Sequence, residues 1–268
     1  MRKRNGKVWK YYYKGKPIKS ERFNSLRIPP AWKLVKIAVK SNAKIQVIGV
    51  DGSGKKQYLY HPDHVKTQDC KKWKRCVKFV KILVTVKKKF FKSKDPCAIA
   101  FLALLETHMR VGTEIMTKGK NPTFGLTTLR RKHLKKKGNH LYFEFLGKRS
   151  KFHSIKVPKG KVLNYVRGRI NKDKIFPVDA NELNKFIREY CGEFTAKDLR
   201  TYSANKIFAR SMQETDNIQK SIEATAKALG NTKKIARDSY ISPKLRDAGV
   251  RGKLRRGNID KLLRQYIV

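Results

Sequence analysis

Along the chain the apolar positions alternate with a period of two at first, then switch to a period near 3.6. Val8 to Tyr13 and Pro17 to Ser20 flank Lys14-Gly15-Lys16. Ile45 to Val50 and Lys56 to Tyr60 flank Asp51-Gly52-Ser53-Gly54, so the pattern predicts two hairpins. Between them Ile28-Pro29-Pro30-Ala31-Trp32 breaks the alternation, because proline cannot donate to a central ladder. From Lys71 the period is helical, with Trp73, Val77, Val80 and Val84 on one stripe and lysines on the other faces. Asp95-Pro96 opens a second helix, with Asp as N-cap and Pro in the first turn, running through Ala98, Phe101, Leu102 and Leu105 to Met109-Arg110-Val111-Gly112. Leu126 to His133, Leu141 to Leu146 and Phe152 to Val157 read as a three-stranded meander, joined by Lys135-Lys136-Lys137-Gly138 and Gly147-Lys148-Arg149-Ser150. Helical patterns return over Asn181 to Tyr190, from Thr195 or Asp198 to Met212, over Ser221 to Leu229, and over Asn258 to Ile267. The fold class expected is α+β. A small N-terminal antiparallel β domain, residues 1–67, precedes a larger, mainly α-helical domain with a three-stranded β meander, residues 68–268.

Charge changes that picture most. The 268 residues carry 66 Lys and Arg against 20 Asp and Glu, a formal net charge of +46. So much self-repulsion does nothing for stability and calls for a polyanionic partner, nucleic acid first. An anionic membrane surface fits less well, because the charge runs through the whole chain rather than along one amphipathic helix. A 40% hydrophobic content argues against a disordered basic tail. The longest apolar run, Cys97 to Leu105, is about half a membrane span, and the basic start has no apolar signal core. Cys70, Cys76, Cys97 and Cys191 show no CxxC spacing and read as reduced, intracellular thiols.

Several stretches invite chemistry one at a time. Gly49 to Lys56 comes near a phosphate-binding P-loop, but Lys56 stands where the metal-binding hydroxyl belongs and a strand follows; the glycines read as turn residues. His61-Pro62-Asp63-His64 with Cys70 and Cys76 matches no standard zinc spacing, and Pro62 suits a turn between domains. Arg110 closing an apolar helix can simply complement the helix dipole, and Lys148 can be a solvated lysine at a hairpin tip. Arg200 falls in the first turn of its helix, where the dipole disfavours a cation, which hints at an anionic ligand. Gly230-Asn231 stops a helix, and Tyr240 follows in a short basic segment ended by Ser242-Pro243. Asn231 and Tyr240 lie nine positions apart and would face opposite ways on one straight helix, so the chain must bend for both to meet one ligand.

In order, these stretches resemble the type IB DNA topoisomerases of the eukaryotic-type topoisomerase I superfamily, and most resemble the compact poxvirus-like and bacterial branch. The resemblance covers nearly the whole chain. It rests on Arg27-Ile28-Pro29-Pro30-Ala31-Trp32, Gly54-Lys55-Lys56-Gln57-Tyr58-Leu59-Tyr60-His61, Arg110-Val111-Gly112, Phe124-Gly125-Leu126-Thr127-Thr128-Leu129, Phe145-Leu146-Gly147-Lys148, Lys197-Asp198-Leu199-Arg200-Thr201-Tyr202 and Gly230 to Tyr240. It implies relaxation of supercoiled duplex DNA through a transient 3′-phosphotyrosyl strand break, without metal, ATP or other cofactor. Tyr240 would be the nucleophile, Arg110 and Arg200 the clamps on the nonbridging oxygens, and Lys148 the proton donor to the leaving 5′ oxygen. Asn231 falls where the family usually has a histidine; an amide can donate one hydrogen bond there but cannot carry charge.

Lys55, Gln57, Tyr58, Tyr60 and Lys197 match expected DNA contacts, and Tyr58 and Tyr60 should point the same way on an alternating strand. Thr113 and Met116 stand where poxvirus members have a base-contacting lysine and tyrosine, so the target preference of those enzymes does not carry over. The resemblance further implies a monomer whose β domain and catalytic domain clamp double-stranded DNA, with no membrane partner. It places the protein inside the cell with DNA: in a virion or viral factory if viral, otherwise in a nucleus or nucleoid. A tyrosine recombinase is the nearest alternative, but such enzymes usually have HxxR where this chain has Lys197-x-x-Arg200. A catalytically weak DNA-binding or architectural protein is the other, motivated by Asn231 and the charge.

Overall fold

The alternating segments at the start of the chain form two three-stranded antiparallel sheets. The computed structural model describes residues 2–5, 8–18 and 21–268, and the chain divides into two units, Met1–Lys71 and Lys72–Val268. In the first unit, β1 (Arg2–Asn5), β2 (Val8–Tyr13) and β3 (Lys16–Ile18) pair in that order. Lys14 and Gly15 form the two-residue turn between β2 and β3 with φ of 45° and 82°, the doubly left-handed geometry that matches hairpin twist. The end of that expected second strand, Lys19 and Ser20, lies outside the described residues. A short helix, α1 (Glu21–Ser25), leads to the second sheet, β4 (Lys33–Ile37), β5 (Ile45–Val50) and β6 (Lys56–Tyr60).

Strand β4 escapes the sequence pattern because its pairing slips between Lys33 and Lys36, and Leu34 at φ 49° lies exposed. Tyr11, Ile28, Val35 and Val47 form the core of this unit. The glycines of the P-loop-like stretch are turn residues as expected: Asp51 Oδ1 accepts from the backbone N–H groups of Ser53 at 2.9 Å and Lys55 at 3.0 Å.

The first long helix, α2 (Pro62–Lys92), starts at Pro62, not Lys71. Residues 62–70 are mostly exposed and carry no apolar stripe, so periodicity could not reveal the helix there. Proline suits its first position because the missing N–H would have had no helical partner. The buried stripe is Trp73, Cys76, Phe79, Val80, Leu83, Val86 and Phe90, rotated from the expected one, and Val84 is exposed.

Helix α3 (Pro96–Thr107) begins as the sequence predicts, with Asp95 Oδ1 accepting from Cys97 N at 2.6 Å. From Ala98 to Leu104 it is apolar and buried on every face. It ends at His108, which caps it at φ 57° with its N–H on Leu104 O at 2.9 Å. Arg110 therefore lies beyond the helix, on extended chain, and does not close it.

The meander is shifted from expectation. Residues 126–128 and 131–133 form tight helical turns rather than a strand, with Leu126 and Leu129 three apart and both buried. The first strand is instead β7 (Leu134–Lys137), paired with β8 (His140–Gly147), which pairs with β9 (Lys151–Lys156). Lysines suit an exposed edge strand because they discourage further pairing, so a run that reads as a loop can be a strand. Helices α4 (Lys161–Arg167), α5 (Ala180–Cys191), α6 (Ala196–Thr215) and α7 (Ile218–Leu229) follow, then a three-residue turn α8 (Lys233–Ile235), a π turn over Ala236–Tyr240, α9 (Pro243–Val250) and α10 (Ile259–Tyr266). α6 starts at Ala196 with Asp198 accepting from Thr195 N and Oγ1 at 2.9 Å each, which places Arg200 one turn in rather than in the first turn. One apolar core runs through α2, α3, α5, α6, the meander and the C-terminal helices.

Candidate active site

Gly112 and Gly125 explain two of the short motifs. A Cβ on Gly125 would stand 2.6 Å from Arg110 O and Gly112 N, so the two segments touch backbone to backbone. Leu126 N and Thr127 N donate to Arg110 O and Val111 O, both at 2.8 Å. Arg110 is thereby carried on a rigid, doubly bonded strip, and its Nη2 donates to Asn231 Oδ1 at 2.8 Å.

Asn231 sits on an elbow. α7 stops at Gly230, φ 63°, with Gly230 N on Lys227 O at 3.1 Å and Asn231 N on Ala226 O at 2.9 Å. This double bond pattern is the Schellman stop, and Gly230 alone takes its left-handed position. A guanidinium only donates, so the Asn231 carbonyl must face Arg110 and its Nδ2 is left as a donor. That Nδ2 is buried and has no partner.

Arg200 is the most enclosed cation of the group, 5% exposed. It donates to His108 O and, at 3.0 Å, to Leu229 O, the carbonyls at the ends of α3 and α7; its Nε has no partner. Carbonyls satisfy its hydrogen bonds without neutralising its charge. No ion pair among the described residues includes Arg110 or Arg200. The nearby carboxylate of Asp198 is engaged by Arg75. Enclosed cations without a counter-charge are costly to keep and favour an incoming anion.

Tyr240 ends the π turn, and Asn231 lies before Thr232, the N-cap of the segment that leads into it, so the two do not share one straight helix, as their spacing requires. Ile241 N reaches back to Ala236 O at 3.0 Å, and such π turns recur at functional sites. The Arg200 guanidinium carbon lies 5.6 Å from the Tyr240 ring centre. Burial pushes the phenol up, but the charges of Arg200 and Arg110 and their hydrogen bonds outweigh it and hold the phenol below its ordinary value.

Lys148 is exposed at the β8–β9 tip, where Arg149 and Ser150 both have positive φ (63° and 53°). It borders a pocket of about 20 Å³ together with Arg110, Arg200 and His153. All five expected catalytic positions lie in this unit. Arg110 meets Asn231, Arg200 meets Tyr240, and Lys148 borders the same pocket as both arginines.

The expected DNA contacts divide. Tyr58 and Tyr60 are 42% and 43% exposed on one face of β6, with ring centres 6.2 Å apart, which excludes a packed sheet face. Gln57 points the other way, its Nε2 held by Asp51 Oδ2 at 2.6 Å. Lys55 is exposed in the turn before β6, Lys197 is exposed in the first turn of α6, and Thr113 and Met116 are exposed on a short turn just after Arg110-Val111-Gly112.

Sequence reasoning missed Asn205. It is fully buried in α6, donating through Nδ2 to Tyr240 O at 2.9 Å and accepting at Oδ1 from Ser242 N at 2.8 Å, so it clips both sides of the tyrosine. An amide-bearing poor helix former in the middle of a long helix was the available signal. It also missed His108, which holds Arg200, and His153.

A tyrosine phenol set against two arginines that make no ion pair among the described residues, on a helical scaffold with a β meander, forms a site that favours an anion. Comparisons with known proteins specify it further. The family model described as "Eukaryotic DNA topoisomerase I, catalytic core" matches residues 55–237, more than half of the chain. That described as "Bacterial DNA topoisomerase IB, N-terminal domain" matches residues 11–51. DNA topoisomerase 1B of Acanthamoeba polyphaga mimivirus is 30% identical over 283 residues, covering 90% of this chain and 84% of that protein. DNA topoisomerase 1 of rabbit fibroma virus is 26% identical, with 76% and 71% covered. DNA topoisomerase 1B of vaccinia virus is 25% identical, with 73% and 69% covered. The chain belongs to the type IB DNA topoisomerase family.

Proposed function

We propose that this enzyme relaxes supercoiled duplex DNA by cutting one strand through Tyr240 and resealing it. The observation that carries this reading is the Arg200 guanidinium set 5.6 Å from the Tyr240 ring centre, with Arg110 tied to Asn231 and neither arginine in an ion pair among the described residues; their charges hold the phenol below its ordinary value. The phenol gives its proton to solvent, its oxygen attacks the phosphorus, a bond forms between them, and the bond from phosphorus to the 5′ oxygen breaks. Arg110 and Arg200 hold the nonbridging oxygens, where charge gathers in the transition state; a guanidinium fork matches that geometry and stays charged. Asn231 Nδ2 donates a third, neutral hydrogen bond. Lys148 gives its proton to the departing 5′ oxygen, a role open to lysine and closed to arginine. The phosphotyrosyl bond conserves the energy of the phosphodiester, so resealing is the same sequence in reverse and needs neither ATP nor metal.

Exposed Tyr58 and Tyr60 support a role for residues 1–67 as a DNA clamp closing with residues 68–268 around the duplex. One active site per monomer suffices for one strand. Viral relatives named as DNA topoisomerases support action on DNA inside an infected cell or a virion. No helix among the described residues is long and apolar enough to cross a membrane.

The test is plasmid relaxation in chelator without ATP, alongside Tyr240→Phe. Relaxation by the native protein, absent in the variant, with a covalent protein–DNA adduct trapped by denaturant, is expected. Binding without relaxation would favour an architectural protein, and strand exchange between two duplexes a recombinase.

A further inference from the structure

His153 lies on β9 opposite Phe145 of β8, and its ring stacks on the Phe145 ring with centres 5.1 Å apart and planes 13° apart. That stacking fixes where its edges point. A Cβ on Gly147 would stand 2.7 Å from His153 Cδ2 and Nε2, and a Cβ on Gly230 would stand 2.2 Å from its Cε1. At both glycines the imidazole fills the space a side chain would need. Gly147 immediately precedes Lys148, and Gly230 immediately precedes Asn231. One ring therefore rests on the two backbones that carry the proton donor and the neutral phosphate contact.

The ring is only half-buried and borders the small pocket beside Arg110, Lys148 and Arg200, so filling the core is not its only role. Burial, then Lys151, Arg200 and Arg110, hold its pKa below the ordinary imidazole value.

We propose that His153 is a positioning residue for strand cleavage: its ring docks the Lys148 hairpin against the elbow between α7 and α8, so that Lys148 reaches the 5′ oxygen of the phosphate that Asn231 contacts. This rests on the reading of Lys148 as proton donor given above. Without the ring, the hairpin tip loses its seat and the donor drifts from the 5′ oxygen. A displacement of about 1 Å at a reacting group costs on the order of 10²-fold in rate.

The experiment measures single-turnover formation of the covalent adduct on two duplexes. In one, the scissile phosphate has its normal bridging oxygen; in the other, sulfur replaces the bridging 5′ oxygen. A thiolate leaves without being protonated, since a thiol has a pKa near 8.5 where an alcohol's is far higher. His153→Ala should be slower than the native protein by about 10²-fold on the oxygen substrate and should recover most of that loss on the sulfur substrate, as should Lys148→Ala. A His153→Ala rate equal to native on oxygen, or an equal loss on both substrates, would overturn the proposal. Should the alanine variant not fold, His153→Gln, with a planar amide in place of the ring, takes the same two substrates and the same criterion. A native protein that forms no Tyr240-dependent adduct on either substrate would instead overturn the cleavage reading itself.

Discussion

Asn231 divides two tasks between its backbone and its side chain. Its N–H completes the stop of α7 on Ala226 O at 2.9 Å, while Gly230 alone takes the left-handed conformation. The side chain is left over, with its carbonyl on Arg110 and its buried Nδ2 open. Helix stop and working donor, which compete as explanations in the sequence, are compatible in the structure. An open donor aimed at a developing oxyanion is worth about 10²–10³ in rate. Asn231→Ala should slow single-turnover cleavage by about that factor, and Asn231→His, which restores a ring N–H donor, should keep most of the native rate. An alanine variant cleaving at the native rate would remove Asn231 from the chemistry. The residues legible in the sequence are those whose motifs name them: Arg110, Lys148, Arg200 and Tyr240. Asn205 and His153 were not legible, because each acts through a contact made across the fold, Asn205 on Tyr240 and Ser242, His153 on Gly147 and Gly230.

At the scale of elements, the elbow from α7 through α8 to the π turn sets Tyr240 against α6, where Asn205 holds its carbonyl. The sequence announced the break through Gly230-Asn231 and the facing problem of Tyr240, but not the π turn that follows the break. Elsewhere the helices with clear caps, such as α3 at Asp95, were legible, whereas β7 was not, because its lysines and missing alternation look like a loop. The elbow depends on Gly230 twice, for its φ of 63° and for the space above it that His153 occupies. Gly138, at φ 56° in the turn between β7 and β8, has the same conformation but open space around it. Gly138→Ala should therefore cost only the left-handed strain, about 1–3 kcal/mol. Gly230→Ala should cost clearly more, because a ring packed on Phe145 cannot yield without moving β9. Urea unfolding midpoints of the full chain read the difference, and equal midpoints would mean the ring contact does not hold the elbow. Cleavage should also slow in Gly230→Ala and stay native in Gly138→Ala.

Over the whole molecule, charge dominates. The 66 cations against 20 acids leave a formal excess of 46 positive charges. Some acids are demonstrably spent inside the protein, as Asp198 is on Arg75 and Glu114 on Arg130 and Lys174. A surface of this kind is held by phosphates, and each phosphate neutralised releases counterions, so binding must weaken steeply as salt rises. A grip on 6–10 phosphates loses about 10³–10⁵ in affinity between about 50 and 200 mM salt. We expect a fall in that range for Tyr240→Phe protein, which binds without cutting, on a duplex of random sequence. The same slope should appear on duplexes of different sequence, because phosphate contacts carry no sequence information. Removing one exposed cation such as Lys197 should lower the slope by about one phosphate's share. A nearly flat salt dependence would mean that the excess charge serves something other than the duplex backbone, and that Tyr58, Tyr60 and the exposed turn after Arg110 carry the affinity instead.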